Sequence, residues 1–216
     1  MSTGRQDGLT VVELLVGLAV SLILVAGALK IFGAQVEHLR RMLLEARVQQ
    51  DLRGATELIA RDLRRAGYWK APWRAPPGTA NPYGAIELED GSQVTYAYSQ
   101  DDGDEDHAVD SNEHHGFRVE RGVLHAVDGG AGWQPVTDPA VVTVTALDIA
   151  VHRTDHPLGH LCTPACAPGA PSCPSVAVQE MEVRLRAHAT ADPGVAREAV
   201  EHVRVRNDRV EGARCP

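Results

Sequence analysis

Residues 8–29 read Gly-Leu-Thr-Val-Val-Glu-Leu-Leu-Val-Gly-Leu-Ala-Val-Ser-Leu-Ile-Leu-Val-Ala-Gly-Ala-Leu. A helix needs about twenty apolar residues to cross a bilayer, and this run supplies them close to Met1. It carries one charge, Glu13. A carboxylate in lipid is expensive and marks a function by default. No basic residue lies one turn away on the same helix, so its partner is expected in another molecule.

Two ordinary readings fit poorly. A secretory signal has an apolar core of roughly 7–15 residues followed by a small-residue cleavage site. This run is longer, and it continues into Lys30-Ile31-Phe32 without an Ala-x-Ala sequence. A plain anchor fits the length but leaves Glu13 unexplained. The flanking charges, Arg5, Asp7 and Lys30, give no firm topology.

The segment Gly8-Leu9-Thr10-Val11-Val12-Glu13 resembles the processing site of type IV pilins and type II secretion pseudopilins. The resemblance implies that prepilin peptidase cuts after Gly8, that Leu9 becomes a methylated N-terminus, and that Glu13 becomes the fifth mature residue. Leu9 departs from the family's common Phe but stays apolar. Cleavage would create an amine on Leu9 that a neighbour's Glu13 can face, and an opposite charge offsets the cost of holding a carboxylate in an apolar bundle. The presence of Glu13 argues against a K-type tip pseudopilin, a class in which this acid can be missing.

Helical character continues past the membrane run. Leu39, Met42, Leu43, Ala46, Ala55, Leu58, Ile59, Leu63 and Ala66 recur at helical spacing, opposite Arg40, Arg41, Glu45, Arg47, Arg53, Glu57, Arg61 and Arg64. Gly67 is a natural stop, and Pro72, Pro76, Pro77 and Pro82 forbid continuation. Residues 9–66 would make one helix of about 85 Å. Beyond Tyr83, strand patterns cover 93–98, 116–119, 123–127, 141–151, 176–187 and 200–205, with Arg121-Gly122 as a hairpin turn. The expected fold is α+β: a type IV pilin fold whose long N-terminal helix packs on an antiparallel β-sheet head. The expected organisation is a leader at 1–8, a membrane or fibre-core helix at 9–34, its amphipathic continuation at 35–67, and a periplasmic head at 68–216.

Two segments narrow the resemblance. Ile59-Ala60-Arg61-Asp62-Leu63-Arg64-Arg65-Ala66-Gly67-Tyr68 and Val203-Arg204-Val205-Arg206-Asn207 are similar to PilW-like minor pilins, and J-type pseudopilins share a related Arg-Asp-Leu-Arg segment.

Charge is unevenly placed. The chain carries -8 overall; residues 30–66 are net +3, whereas residues 67–216 are net -10. An acidic head repels phosphate backbones, which argues against nucleic acid as a partner. Cys162, Cys166, Cys173 and Cys215 all lie in the last third. An oxidising periplasm favours disulfides among them, with three pairings open, and the spacing matches no standard structural zinc site.

Residues 101–113 form an acidic loop. Asp102, Asp104, Asp106, the Ala108 carbonyl, Asp110 and Glu113 match the ligand positions of an EF-hand calcium loop. His107 stands where that loop needs Gly, and strand patterns flank it instead of helices. Calcium is the one candidate cofactor, and none is required; a solvated acidic loop is the plainer alternative. His107, His114 and His115 lie nearby as polar loop residues. A Cys-rich loop spans 161–174. No Gly-x-Ser-x-Gly elbow, dinucleotide fingerprint or phosphate loop is present, so no catalysis is expected.

The resemblance implies a minor pilin that primes pilus assembly near the tip, held in the bacterial inner membrane with a periplasmic head before it enters the fibre. The implied partners are prepilin peptidase, major and other minor pilins, the inner-membrane assembly platform and a tip adhesin. The alternatives are a J-type minor pseudopilin, a DNA-uptake pilin and a membrane-anchored periplasmic binding protein that never polymerises.

Overall fold

The computed structural model describes residues 10–76, 79–90, 92–100, 105–167, 173–212 and 215. Two compact units divide it, Met1–Leu44 and Glu45–Pro216.

Helix α1 runs Val11–Leu63 without interruption. Its apolar first half is exposed, and the helix is long and apolar enough to cross a membrane. Its start is a capping box. The Thr10 hydroxyl accepts from the Glu13 amide at 3.3 Å, and Glu13 Oε2 accepts from the Thr10 amide at 3.0 Å. Two orphan donors of the first turn are thereby satisfied.

Within the second unit the helix buries Val48, Leu52, Ala55, Thr56, Ile59, Ala60 and Leu63. This stripe differs from the expected one: Leu39, Met42, Leu43 and Ala46 are exposed, and Val48 and Leu52 join instead. Buried contacts begin only at Val48, and periodicity counts apolar residues whether or not anything covers them. Thr56 is tolerated on the buried face because its hydroxyl donates to the Leu52 carbonyl at 2.9 Å. Gly54 faces away from the core, and a Cβ there would meet nothing within 4 Å. A helix-interior glycine costs about 1 kcal/mol relative to alanine, and here no close approach inside the chain calls for it.

The helix ends at Leu63, and turns carry residues 64–67 to Gly67 at φ +73. The left-handed region suits glycine there, and its amide donates to the Ala97 carbonyl at 2.9 Å.

The expected single sheet of five or six strands is instead two antiparallel sheets with nine strands among the described residues. The first contains β1 (Ile86–Glu89), β2 (Gln93–Ala97), β3 (His114–Glu120), β4 (Val123–Asp128) and β5 (Trp133–Pro135), in chain order. The second runs β6 (Val142–Pro157), β7 (Ser175–Ala189), β8 (Asp192–Arg204), with β9 (Arg209–Glu211) also pairing β7. The expected hairpin turn is present: Arg121 and Gly122 have φ of 52 and 78, and Glu120 pairs with Val123. Two positive φ values define a type I′ turn, whose twist matches the flanking strands. The Val144 amide donates to the Gly122 carbonyl at 2.8 Å, which ties the sheets together.

The sheets bury alternate residues, as strands facing a core must. Val94, Tyr96 and Leu124 come from the first sheet, and Leu147, Met181, Val183, Leu185 and Val203 from the second. Together with the buried stripe of α1 they form the core, so the chain is α+β, with its long N-terminal helix packed on antiparallel sheets.

Candidate functional site

At the N-terminus, Gly8 and Leu9 lie outside the described residues. Glu13 is placed in the first turn of α1, where its carboxylate, among the described residues, accepts from Thr10: the amide, and the hydroxyl at 2.9 Å. The box keeps the acid occupied within the chain.

The other end of α1 is fastened to the head by the two segments that carry the resemblance. Asn207 Nδ2 donates to the Ala66 carbonyl at 3.0 Å and the Arg65 carbonyl at 3.2 Å, and the Arg206 amide donates to the Arg64 carbonyl at 3.2 Å. Helix C-termini leave carbonyls without intrahelical partners, and here residues 206–207 satisfy them. From the other side, Asn81 Nδ2 donates to the Gly67 carbonyl at 2.8 Å.

Asp62 and Arg65 then reach into the first sheet. Asp62 accepts from the Tyr96 hydroxyl at 2.5 Å and from Tyr98 at 3.2 Å. The Arg65 guanidinium sits 4.0 Å above the Tyr98 ring, whose other face stacks on His115 with centroids 3.8 Å apart. Burial, reinforced by the Asp62 charge, raises the Tyr96 phenol well above its ordinary range and pushes Tyr98 up to about 12. Both phenols therefore stay protonated donors. Burial also lowers His115, against the pull of Asp62 and Asp128. Its Nδ1 lies 3.1 Å from Asp128 without hydrogen-bond alignment, so that nitrogen stays unpartnered.

The acidic loop departs from a solvated acidic segment over its described part. Glu105 and Glu113 are buried, around the Tyr83 hydroxyl. That hydroxyl lies 2.8 Å from Glu105 Oε1, 2.9 Å from the Ala108 carbonyl and 3.3 Å from Glu113 Oε1. Ser99 donates to Glu105 at 2.6 Å, and the His107 amide at 3.1 Å. Glu113 accepts the amides of Gln100 and Asp110, each at 2.9 Å. Burial alone would raise Glu105, but the Ser99, Tyr83 and His107 donors outweigh it and hold the carboxyl below its usual range. Burial raises the Tyr83 phenol well above its ordinary range, helped by its bond to Glu105 and the Glu113 charge. Sequence reasoning assigned Glu113 and Ala108 to a cation and missed Glu105, Tyr83 and Ser99. Tyr83 and Ser99 are distant in sequence and match no motif.

Of the six expected calcium donors, Asp102 and Asp104 lie outside the described residues. Asp106 accepts the Ala108 amide at 2.8 Å. Asp110 and Glu113 form a reciprocal capping box at 111–113. Among the described residues, no group of three His, Cys, Asp or Glu side chains is arranged to hold a metal.

The cysteines pair as Cys162–Cys215 and Cys166–Cys173. The first closes a separation of 53 residues and fastens the C-terminal segment. The chain-entropy relation assigns such a loop about 4 kcal/mol, and about 2 kcal/mol to the second bridge. Gly159 packs against both the Cys166 carbonyl and Cys173 Sγ, where a Cβ would come within 2.5 and 2.9 Å.

Searches of curated proteins and of solved structures return no match. The family model for prepilin peptidase-dependent protein B matches residues 41–205, which is more than half of the chain. The matched range holds the head-facing part of α1, strands β1 to β8 and the turn at 64–67, and it does not include the Gly8–Glu13 segment. With a membrane-length apolar helix leading into an α+β head, the chain belongs to the prepilin peptidase-dependent protein B family of pilin-like proteins.

Proposed function

We propose that the chain is a PilW-like minor pilin, which is cut by prepilin peptidase after Gly8 and then takes part in priming a type IV pilus near its tip. The observation that carries the reading is the continuity of α1. One helix begins at Val11, just before Glu13, has the length and apolarity of a membrane span, and ends as the buried stripe of the head at Leu63. A subunit built this way can leave the bilayer and enter a fibre without refolding.

Assembly, not catalysis, is the mechanism. In the membrane the Thr10 box holds Glu13. Once Leu9 carries a free amine, the Glu13 of a neighbouring subunit can exchange that box for an ion pair, which favours one axial register. The partners are prepilin peptidase, the inner-membrane platform and other pilins, with the head in the periplasm. The described 105–113 stretch acts as a structural tie, in which Glu113 and the Ala108 carbonyl accept from Tyr83, Gln100 and Asp110.

Glu13→Ala tests the assembly role. The variant should insert and be cleaved normally, yet its incorporation into sheared fibres should fall at least tenfold by immunoblot. Wild-type incorporation would remove the role given to this acid.

A further inference from the structure

Strand β6 runs for 16 residues, whereas strands of globular proteins usually have about three to ten. Its core contacts end halfway. Val142, Val144, Leu147 and Ile149 are buried, and every residue from Ala150 to Pro157 is exposed. Over 150–157 the strand is paired with β7, and its other edge meets no strand among the described residues. Protein edges are usually blunted by a bulge, a proline or a lysine. Here the bulge lies earlier, between Val144 and Ala146, the first proline is Pro157, and no lysine is present. Apart from histidines, the only charges in the exposed stretch are Arg153 and Asp155.

Those two charges are opposite in sign and lie two residues apart, on one face of the strand. Arg153 Nε donates to Asp155 at 2.9 Å, and Nη2 donates to Glu211 of β9. Nη1 takes no bond among the described residues. Directly opposed residues of an antiparallel pair share a face. Two copies of β6 related by a two-fold axis at Thr154 therefore set Arg153 of each against Asp155 of the other. Each arginine then has one acid beside it and one across from it. Val151 meets Pro157 on the same face, and Thr154 meets its own copy on the other. An axis one residue earlier sets Arg153 against Arg153, and one residue later sets Asp155 against Asp155. An axis at His152 leaves both charges opposite Ile149 and Val151. Charge thus singles out one register.

We infer that the exposed end of β6 is a pairing site for the same strand of a second copy of this chain, which joins two second sheets into one continuous sheet. The backbone of residues 151–157, about 24 Å long at strand rise, supplies the hydrogen bonds. The Arg153–Asp155 quartet supplies the register. Because both copies use the same surface, the contact is isologous and closes at two copies. It is therefore distinct from the stacking of subunits in a fibre, which has to repeat. The site lies wholly in the head, so it is independent of the cut at Gly8.

Sedimentation velocity on the full chain in density-matched detergent tests it, at about pH 8, above the ordinary histidine range, because His152 meets His156 of the second copy. Wild type should pass from one copy to two as concentration rises, and no further. Arg153→Glu alone sets acid against acid, and Asp155→Arg alone sets base against base. Each variant by itself should pair about tenfold more weakly or worse. Mixed in equal amounts the two variants are complementary at both positions, and pairing should return to within about threefold of wild type. That recovery also shows that each variant is folded, and a merely structural role for the two residues cannot produce it. A wild type that stays monomeric, or that builds assemblies larger than two copies, overturns the inference. So do single variants that pair as wild type does, the result expected of association through the apolar half of α1, and so does a mixture that stays monomeric.

Discussion

His115 shows how much one residue's environment decides. It is fully buried against Tyr96, Tyr98 and Gln100, with Asp62, Asp128 and Arg65 as the charged groups that face it. Burial favours the neutral ring, so the folded chain binds a proton less readily than the unfolded chain. Stability is therefore fully present above the unfolded histidine range, near 6.5, and is lost as pH falls from there through the lower folded value. Thermal midpoints measured from pH 8 to pH 5 should decline more steeply for wild type than for His115→Gln. Parallel profiles would show that the ring is not held neutral as described. Neither His115 nor Glu105 was legible as a buried group. Both sit in a polar stretch, and burial there comes from Tyr83, Tyr98 and Ser99, which the fold, not the sequence order, brings near.

At the scale of elements, what reads directly is what local rules govern. The apolar run and the helical spacing gave α1 nearly to its last residue. The helix stops at Leu63, short of the expected Ala66, and Gly67 with its positive φ closes the turns that follow; Arg121-Gly122 forms the expected hairpin turn. What did not read was short or relational. β1, β5 and β9 have only three or four residues, too few for alternation to register, and alternation cannot say which sheet a strand joins. The buried phase of α1 was shifted for the same reason. The joint between α1 and residues 206–207 is the element-scale contact with the clearest consequence. Asn207→Ala removes two hydrogen bonds to the helix end and should cost roughly 1–2 kcal/mol. In a chain of this size that lowers the thermal midpoint by about 2–8 °C by circular dichroism. An unchanged midpoint would mean that the two segments are not joined through this side chain.

For the whole molecule, the chemistry is concentrated in connections and not in a pocket. The disulfides close the C-terminal segment, Tyr83 gathers the acidic loop, and Asp62 and Arg65 hold the helix end to the first sheet. The assembly proposed above asks such a head to keep its shape while the apolar half of α1 passes from lipid to fibre. That account depends on one event, the cut that turns Leu9 into an amine for a neighbour's Glu13. The N-terminal mass of the protein extracted from membranes of cells that contain prepilin peptidase tests it most directly. A chain that starts at N-methylated Leu9 is the expected result; a chain that still starts at Met1 would contradict it.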